Sequence, residues 1–435
     1  MAAPWLAARG ELYQEQQKAL LLSPFYSRVI SGSSGSGKTS ILVHRAAYLV
    51  RNWHVPVSRF MILTFTNALK ETIQAGLQEL GISQDSVFTF DKWCKTFHEK
   101  NIGRAPRRGR FSHPGATREA VYQYLRHEGQ DRGLYDFILV DEGQDLEPVC
   151  YDILEKITRH VSVFMGQEQQ IYSSRATRKD VLRALGLSSA DIELSTGYRC
   201  NFCVAELAAE FLPADYKKGF LEAHSRPGQM DREKPLLFVA RDFEQEMYNL
   251  LQILRARQSL GERIAVLFAE RWQAEMFPKL CMDLGLYAEG PRVWPPGRKT
   301  KGIAHDFSSP RPKAMTYHSA RGMTFDVVLM PRLTTRHFRG FLKKNMDVLL
   351  YTGVSRAARW VYMSTVYADL IKPVRTLYNG ICHGLGGFGL EIRHGRFSRQ
   401  KSMFEYMQDN SQETAAPKEH DPILKNEIKG YADLF

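Results

Sequence analysis

Short apolar runs, each followed by a stretch with helical spacing, recur through the first half of the chain. The runs lie at residues 28–30, 60–63, 87–90, 137–140 and 161–165. A strand that is buried on both faces of a parallel sheet reads as a continuous apolar run, and the covering helices lie between such strands. The pattern therefore predicts an α/β domain built on a parallel sheet.

A second series of the same kind follows. Apolar runs at 236–240, 264–268, 314–317, 327–330 and 360–365 alternate with helical patterns at 244–256 and from Glu270 onward. We therefore expect two tandem α/β domains. The first covers residues 1–190 with a short insertion near 99–132, the second covers 191–405 with a reduced insertion, and 406–435 form a polar C-terminal tail.

A phosphate-binding motif follows the first apolar run. The sequence GSSGSGKT fits the P-loop pattern G-x-x-x-x-G-K-[ST], and a helix with apolar spacing comes after it. Backbone N–H groups and the helix N-terminus attract phosphates, and the lysine reaches the β and γ phosphates. The alternative is a flexible Gly/Ser-rich loop, which would hardly place Gly-Lys-Thr at the start of a helix. We predict an ATP site with these residues: Gly32, Ser33, Ser34, Gly35, Ser36, Gly37, Lys38, Thr39 and Ser40.

Two carboxylates, Asp141 and Glu142, directly follow the apolar run at 137–140. In P-loop proteins an acidic residue at the end of a neighbouring strand holds Mg²⁺, so we expect Asp141 and the Thr39 hydroxyl to be the metal ligands. Glu142 is then placed to act as a general base towards the attacking water. A solvated acidic turn is the alternative, and it would be preferred if no P-loop were present.

Composition narrows the class of protein. The 435 residues are 44% hydrophobic and 24% charged, which is ordinary for a folded globular chain. No apolar run approaches the roughly 18 residues needed to span a bilayer, so we expect a cytoplasmic protein without a membrane partner. The six scattered cysteines form no disulfide framework and are expected to be reduced. A net charge of +12 and a pI near 9.3 favour a polyanionic partner.

The P-loop and the sequence DEGQD together resemble the superfamily 1 helicases of the UvrD/Rep type. The resemblance continues in family order through LYQEQQKA, LTFTNALKETI, FTFDKWCKTF, MGQEQQIY, LSTGYRCNFCVAELA, MTYHSARGMTFDVVLMP and LLYTGVSRAARWVYM. It implies two tandem RecA-like parallel-sheet domains with the ATP site in the cleft between them. One departure is Gly166, which stands where the family's coupling motif usually carries aspartate.

The resemblance also implies roles for single residues. The catalytic set would be Lys38, Asp141, Glu142, Gln169, Arg199 and Arg356, with Gln169 sensing the γ-phosphate and the two arginines as arginine fingers. Gln16 and Tyr198 would contact the adenine base. The DNA-binding set would be Phe65, Asn67, Trp93, Tyr172 and His318. Phe65 and Trp93 suit base stacking, although an aromatic residue at a strand end is more often part of a core.

Two functions of different classes remain open. The first is an ATP-dependent translocase or helicase on single-stranded or partly duplex DNA, working 3′ to 5′ as the resemblance implies and coupling hydrolysis to cleft closure. The alternative is a nucleic-acid-sensing ATPase subunit that regulates a partner nuclease, of the phage-defence type, with little unwinding of its own. A small-molecule kinase is a distant third, because it would not need the ordered motifs after Arg199.

Overall fold

A computed structural model of the chain describes residues 6–33, 35–103, 115–127, 133–158, 160–166, 176–194, 200–224, 233–291, 309–382 and 389–395. The predicted tail at 406–435 lies outside these residues, as do the parts 104–114 and 128–132 of the predicted first insertion. The chain divides into two compact units, Met1–Arg199 and Cys200–Phe435. None of the described helices is both long enough and apolar enough to cross a membrane.

The first unit is a six-stranded sheet whose strand pairs are all parallel. Its strands are β1 (Arg28–Gly32), β2 (Phe60–Thr64), β3 (Val87–Thr89), β4 (Phe137–Val140), β5 (Val161–Gly166) and β6 (Ile192–Leu194), in the order β3-β2-β4-β5-β1-β6. The five apolar runs predicted as strands are confirmed, and β6 is an additional edge strand. Strand β3 ends before Phe90 because a helix begins at that residue.

Helices cover both faces of this sheet. They are α1 (Gln14–Leu21), α2 (Lys38–Trp53), α3 (Asn67–Glu79), α4 (Phe90–Asn101), α5 (Ala116–His127), α6 (Pro148–Ile157) and α7 (Arg178–Ala184). Successive strand residues point to opposite faces, so Ile30 packs in the core cluster with α1, α2 and α3, whereas Val29 packs in the cluster with α4, α5 and α6. The sheet is therefore a buried middle layer, as its apolar strands predict.

The second unit repeats this architecture. Its strands are β7 (Leu236–Ala240), β8 (Ile264–Phe268), β9 (Lys313–Thr316), β10 (Phe325–Met330), β11 (Ala357–Val366) and β12 (Glu391–His394), all paired in parallel in the order β12-β7-β11-β10-β8-β9. Its helices are α8 (Phe202–Ala209), α9 (Ala214–His224), α10 (Phe243–Ser259), α11 (Arg271–Asp283), α12 (Gly340–Lys344), α13 (Met346–Val354) and α14 (Lys372–Cys382). The predicted fold class, two tandem RecA-like α/β domains, is confirmed.

Candidate nucleotide-binding site

The P-loop joins the end of β1 to the start of α2. Gly35 and Gly37 have φ angles of +88° and +84°, in the left-handed region that glycine adopts without strain. A Cβ atom on Gly32 would lie 2.6 Å from the Ser36 hydroxyl oxygen and 2.8 Å from the Leu194 Cβ. Glycine is therefore required at all three positions, and the loop can wrap closely around an anion at the N-terminus of α2.

The P-loop and the first turn of α2 bury several polar side chains. Lys38 is only 8% exposed, and its ammonium donates hydrogen bonds to the carbonyl oxygens of Gly32 at 2.9 Å and Ser33 at 2.8 Å. The hydroxyls of Ser33 and Ser40 are buried and have no hydrogen-bond partner among the described residues. An unpaired buried polar group destabilises a fold by about 1–3 kcal/mol. These groups fit a site in which phosphate oxygens accept the hydrogen bonds.

Gln16 in the first turn of α1 lies against the P-loop. Its side chain is buried, with Nε2 donating to the Ser36 carbonyl oxygen at 2.9 Å. Its Oε1 accepts from the Tyr13 N–H at 3.0 Å, which also caps the helix. A Cβ on Gly37 would lie 2.6 Å from Gln16 Nε2. The residue predicted to contact adenine is thus adjacent to the phosphate loop, although the contact itself stays a prediction.

Thr39 and Asp141 come together as the predicted metal-ligand pair. The Thr39 hydroxyl donates to Asp141 Oδ2 at 2.9 Å, and the Asp141 N–H donates to the Leu63 carbonyl oxygen at 2.9 Å. Burial raises the pKa of Asp141 to about 7, and the neighbouring charge of Glu142 adds to the effect. A hydroxyl and a carboxylate are ligand types that Mg²⁺ takes, and two adjacent buried carboxyls favour a cation beside them. The pair fits Mg²⁺, which when bound neutralises charge on phosphate oxygens.

Glu142 has a φ of +51°, which is uncommon for a residue with a side chain and is characteristic of strained functional sites. The next residue fixes this turn. A Cβ on Gly143 would lie 2.3 Å from Val163 Cγ1, and the Tyr151 hydroxyl donates to the Gly143 carbonyl oxygen at 2.6 Å. Glu142 is 6% exposed and is therefore held in a defined place beside Asp141.

Gln144 connects this carboxylate to the end of β5. Its Nε2 donates to Glu142 Oε2 at 2.5 Å, and its Oε1 accepts from the Gly166 N–H at 2.9 Å. The sequence shows Gln144 only as one more polar group in DEGQD, and it was not among the predicted site residues. In the sequence, only its position two residues after the predicted base Glu142 points to a role for Gln144. The contact to Gly166 is visible only in the fold.

Several residues predicted to complete the site lie outside the described residues: Ser34, Gln169, Tyr172, Tyr198 and Arg199. Arg356 is described. It lies between α13 and β11 in the second domain and is 1% exposed. Its guanidinium donates to the Thr352 carbonyl oxygen at 3.1 Å and to the Ser355 hydroxyl at 2.9 Å. These contacts fix the side chain on the last turn of α13, and its arginine-finger role stays a prediction.

The predicted DNA-binding residues of the first domain lie in different environments. Phe65 is half-buried and Asn67 is exposed, between the end of β2 and the first turn of α3. Trp93, in contrast, is 5% exposed within the core, where it stacks on Phe97 at a centroid distance of 5.3 Å. Its indole N–H donates to the Tyr135 hydroxyl at 2.9 Å. The ring and the indole N–H of Trp93 thus both have partners within the first domain, and its role in base stacking stays a prediction.

His318 lies after β9 in the second domain and is half-buried. Its ring centroid is 6.2 Å from that of Phe341. Burial, with a contribution from the nearby Arg321, lowers the pKa of His318 to about 4. The imidazole is therefore neutral at pH 7, so a contact with DNA would use a hydrogen bond or stacking rather than charge.

Comparison with known proteins finds helicases that are similar to part of this chain. Residues 12–125 match the sequence model of the UvrD/REP helicase N-terminal domain. A probable DNA helicase II homologue of Mycoplasma capricolum is 37% identical over 149 residues, which are 34% of this chain and 17% of the relative. DNA helicase II of Escherichia coli K12 is 31% identical over 119 residues, 27% and 15% of the two chains.

The ATP-dependent DNA helicase srs2 of Schizosaccharomyces pombe is 26% identical over 147 residues, which are 33% of this chain and 14% of the relative. The aligned segments therefore span less than a fifth of these relatives. Their common description as DNA helicases agrees with the resemblance indicated by the motifs, which is confirmed over the matched residues of the first domain.

Proposed function

Because residues 12–125 match the UvrD/REP helicase N-terminal domain, we propose that the protein is an ATP-dependent translocase or helicase on single-stranded DNA. The observation that carries the proposal is the convergence of Lys38, Thr39, Asp141 and Glu142 at the carboxyl ends of β1 and β4. Crevices at the carboxyl ends of strands are where ligands bind in open parallel sheets. The 3′ to 5′ direction rests on the resemblance alone.

Each residue of this constellation has a role in the proposed hydrolysis. Lys38 exchanges its two loop carbonyls for oxygens of the β and γ phosphates, and the glycine backbone and α2 surround them. Thr39 and Asp141 would hold Mg²⁺. Glu142 accepts a proton from the attacking water, while the hydrogen bond from Gln144 keeps its carboxylate oriented. The guanidinium of Arg356 would stabilise charge on the transferred phosphoryl group.

Residues from both domains enter the proposal. Gln169 and Arg199 would sense the γ-phosphate and the transition state, Tyr198 would stack on the base, and closure of the two domains on ATP would drive movement along DNA. For the DNA itself, the net charge of +12 favours contacts with phosphates. The half-buried Phe65, the exposed Asn67 and the neutral His318 are the described candidates for contacts with bases or sugars.

The experiment is steady-state ATP hydrolysis with and without single-stranded DNA. We expect Glu142→Gln to bind ATP with near-normal affinity but to lower kcat by about 10²–10⁴-fold, because the side chain keeps its shape and loses its basicity. Lys38→Ala should weaken nucleotide binding. Glu155→Gln, the same chemical change on α6, is the control and should retain full activity. Equal kcat values for wild type and Glu142→Gln would show that Glu142 is not the base.

A strand-displacement assay distinguishes the two candidate functions. DNA-stimulated hydrolysis with displacement of an annealed strand supports the helicase. Stimulated hydrolysis with neither displacement nor translocation would instead support the ATPase subunit that regulates a partner nuclease. The described residues contain no feature that favours this second function over the first.

A further inference from the structure

Arg45 is a fully buried arginine in α2, two helical turns after Lys38. Its guanidinium donates to the carbonyl oxygens of Leu20 at 2.9 Å and Leu22 at 2.9 Å, with a longer bond to Ala19 at 3.4 Å. A further N–H donates to the hydroxyl of Ser162 in β5 at 3.2 Å. One side chain thus ties together α1, α2 and the central part of the first sheet.

The carbonyl groups that Arg45 contacts lie at the C-terminal end of α1. The last turn of a helix has carbonyl groups without intrahelical partners, and a positive charge there also stabilises the helix dipole. Burying an arginine is costly, and charged residues are rarely buried without a paired charge. The partners of Arg45 given above are all neutral. Arg45 therefore acts as a C-terminal cap for α1 supplied by the neighbouring helix.

The position of α1 matters because its first turn carries Gln16. The helix has eight residues, too few to be stable by itself in water, so tertiary contacts determine where it lies. At one end Gln16 touches Ser36 of the P-loop, and at the other end Arg45 holds the carbonyls. The first contact ties α1 to the P-loop, and the second ties it to α2, the helix that also carries Lys38 and Thr39.

We propose that Arg45 is a positioning residue for base recognition, which fixes α1 so that Gln16 meets the base of a nucleotide whose phosphates lie in the P-loop. The inference rests on the proposed ATP site. It predicts that Arg45 contributes to discrimination between bases and has little influence on affinity for the phosphates.

The test is a comparison of nucleotide affinities, measured by displacement of a fluorescent ATP analogue. We expect Arg45→Met to raise the Kd for ATP about tenfold and to leave the Kd values for GTP and for inorganic tripolyphosphate within about twofold, since a lost hydrogen-bonding contact discriminates by roughly this factor. Arg45→Lys retains a cation that can reach some of the carbonyls, and should recover part of the preference for ATP.

Arg118→Met is the matched control. Arg118 is also buried, at 4% exposure, but it pairs with Asp91 and Glu147 on the face of the sheet away from α1. This variant should lose stability without a change in the ATP to GTP ratio of affinities. Gln16→Ala is the benchmark, because it removes the proposed base contact directly.

The outcomes separate the two proposals. If Gln16→Ala loses the preference for ATP and folded Arg45→Met and Arg45→Lys both keep it, the inference about Arg45 is overturned. It is also overturned if Arg45→Met weakens ATP and tripolyphosphate equally, because Arg45 would then only support the fold of the loop. If DNA fails to stimulate ATP hydrolysis by the wild-type protein, the proposed translocase or helicase function is contradicted. The ratio of ATP to GTP affinities still tests the role of Arg45, because nucleotide binding is measured without DNA.

Discussion

Replacing Gln144 with leucine removes two hydrogen bonds at a buried position without a large change in volume. Gln144 is 3% exposed, and its amide bridges Glu142 Oε2 at 2.5 Å and the Gly166 N–H at 2.9 Å. A hydrogen bond to a charged group contributes about 1.5–3 kcal/mol, and a buried N–H left unpaired costs about 1–3 kcal/mol. We expect Gln144→Leu to lower the free energy of unfolding of the first domain by about 2–5 kcal/mol.

The effect on catalysis should be separable from this loss of stability. Glu142 keeps its basic group in the variant, so a part of the general-base contribution is retained. Its carboxylate, however, is no longer held by Gln144 Nε2, and misplacement of a catalytic group by about 1 Å can cost roughly 10²-fold. We expect kcat to fall by about 10- to 100-fold with a change in KM of less than about threefold, since the contacts to the phosphates are unaltered.

The assay is DNA-stimulated hydrolysis under conditions in which chemical denaturation shows each variant to be folded. Gln245→Leu is the matched control. Gln245 is also buried, at 6% exposure, and its Oε1 accepts from the Arg241 N–H at 2.8 Å in the second domain. It should show a comparable loss of stability and a near-normal kcat. A folded Gln144→Leu protein with kcat within twofold of wild type would refute the argument that Gln144 orients the base.

Two further predictions concern the remaining site residues. Phe65→Ala should weaken the binding of single-stranded DNA by about 1–3 kcal/mol, because a stacking contact is lost. The slope of log K for DNA binding against the logarithm of the salt concentration should not change, because stacking is nearly independent of salt. A changed slope with unchanged affinity at high salt would mean that Phe65 only packs in the core. The pKa of His318 is about 4 in the folded protein, below the ordinary 6.5, so the unfolded chain takes up the proton first and stability falls as pH drops from 6.5 to 4. His318→Gln should make this fall smaller by about 2 kcal/mol in denaturation measurements at the two pH values, and an identical fall in both proteins would contradict the assignment.

The sequence predicted the central strands well because burial on both faces makes them continuous apolar runs. Two of the four edge strands, β6 and β12, were not predicted, because they lack such an apolar run. Strand β6 has only three residues, and β12 carries Glu391, Arg393 and His394 and is mostly exposed. These strands pair with β1 and β7 through backbone hydrogen bonds, which the pattern of side chains does not predict.

The phosphate and metal residues could be predicted because their chemistry dictates a fixed spacing along the chain. Contacts between distant segments could not. The indole N–H of Trp93 donates to the hydroxyl of Tyr135, a residue far along the chain from α4, so the burial of Trp93 is visible only in the fold. Arg45 looks in the sequence like any helix surface arginine, because the carbonyls that it caps belong to another helix.

The place of β1 in the first sheet has a consequence for the order of events during synthesis of the chain. Arg28 in β1 pairs with Ser162 of β5, and Ile30 pairs with Ile192 of β6, so the strand that leads into the P-loop has no sheet neighbour until these distant segments have left the ribosome. Contacts of such large sequence separation form slowly. The P-loop after β1, which we propose to bind phosphate, is therefore translated before the strands that complete its sheet and reaches its native conformation only after β5 and β6 pair with β1.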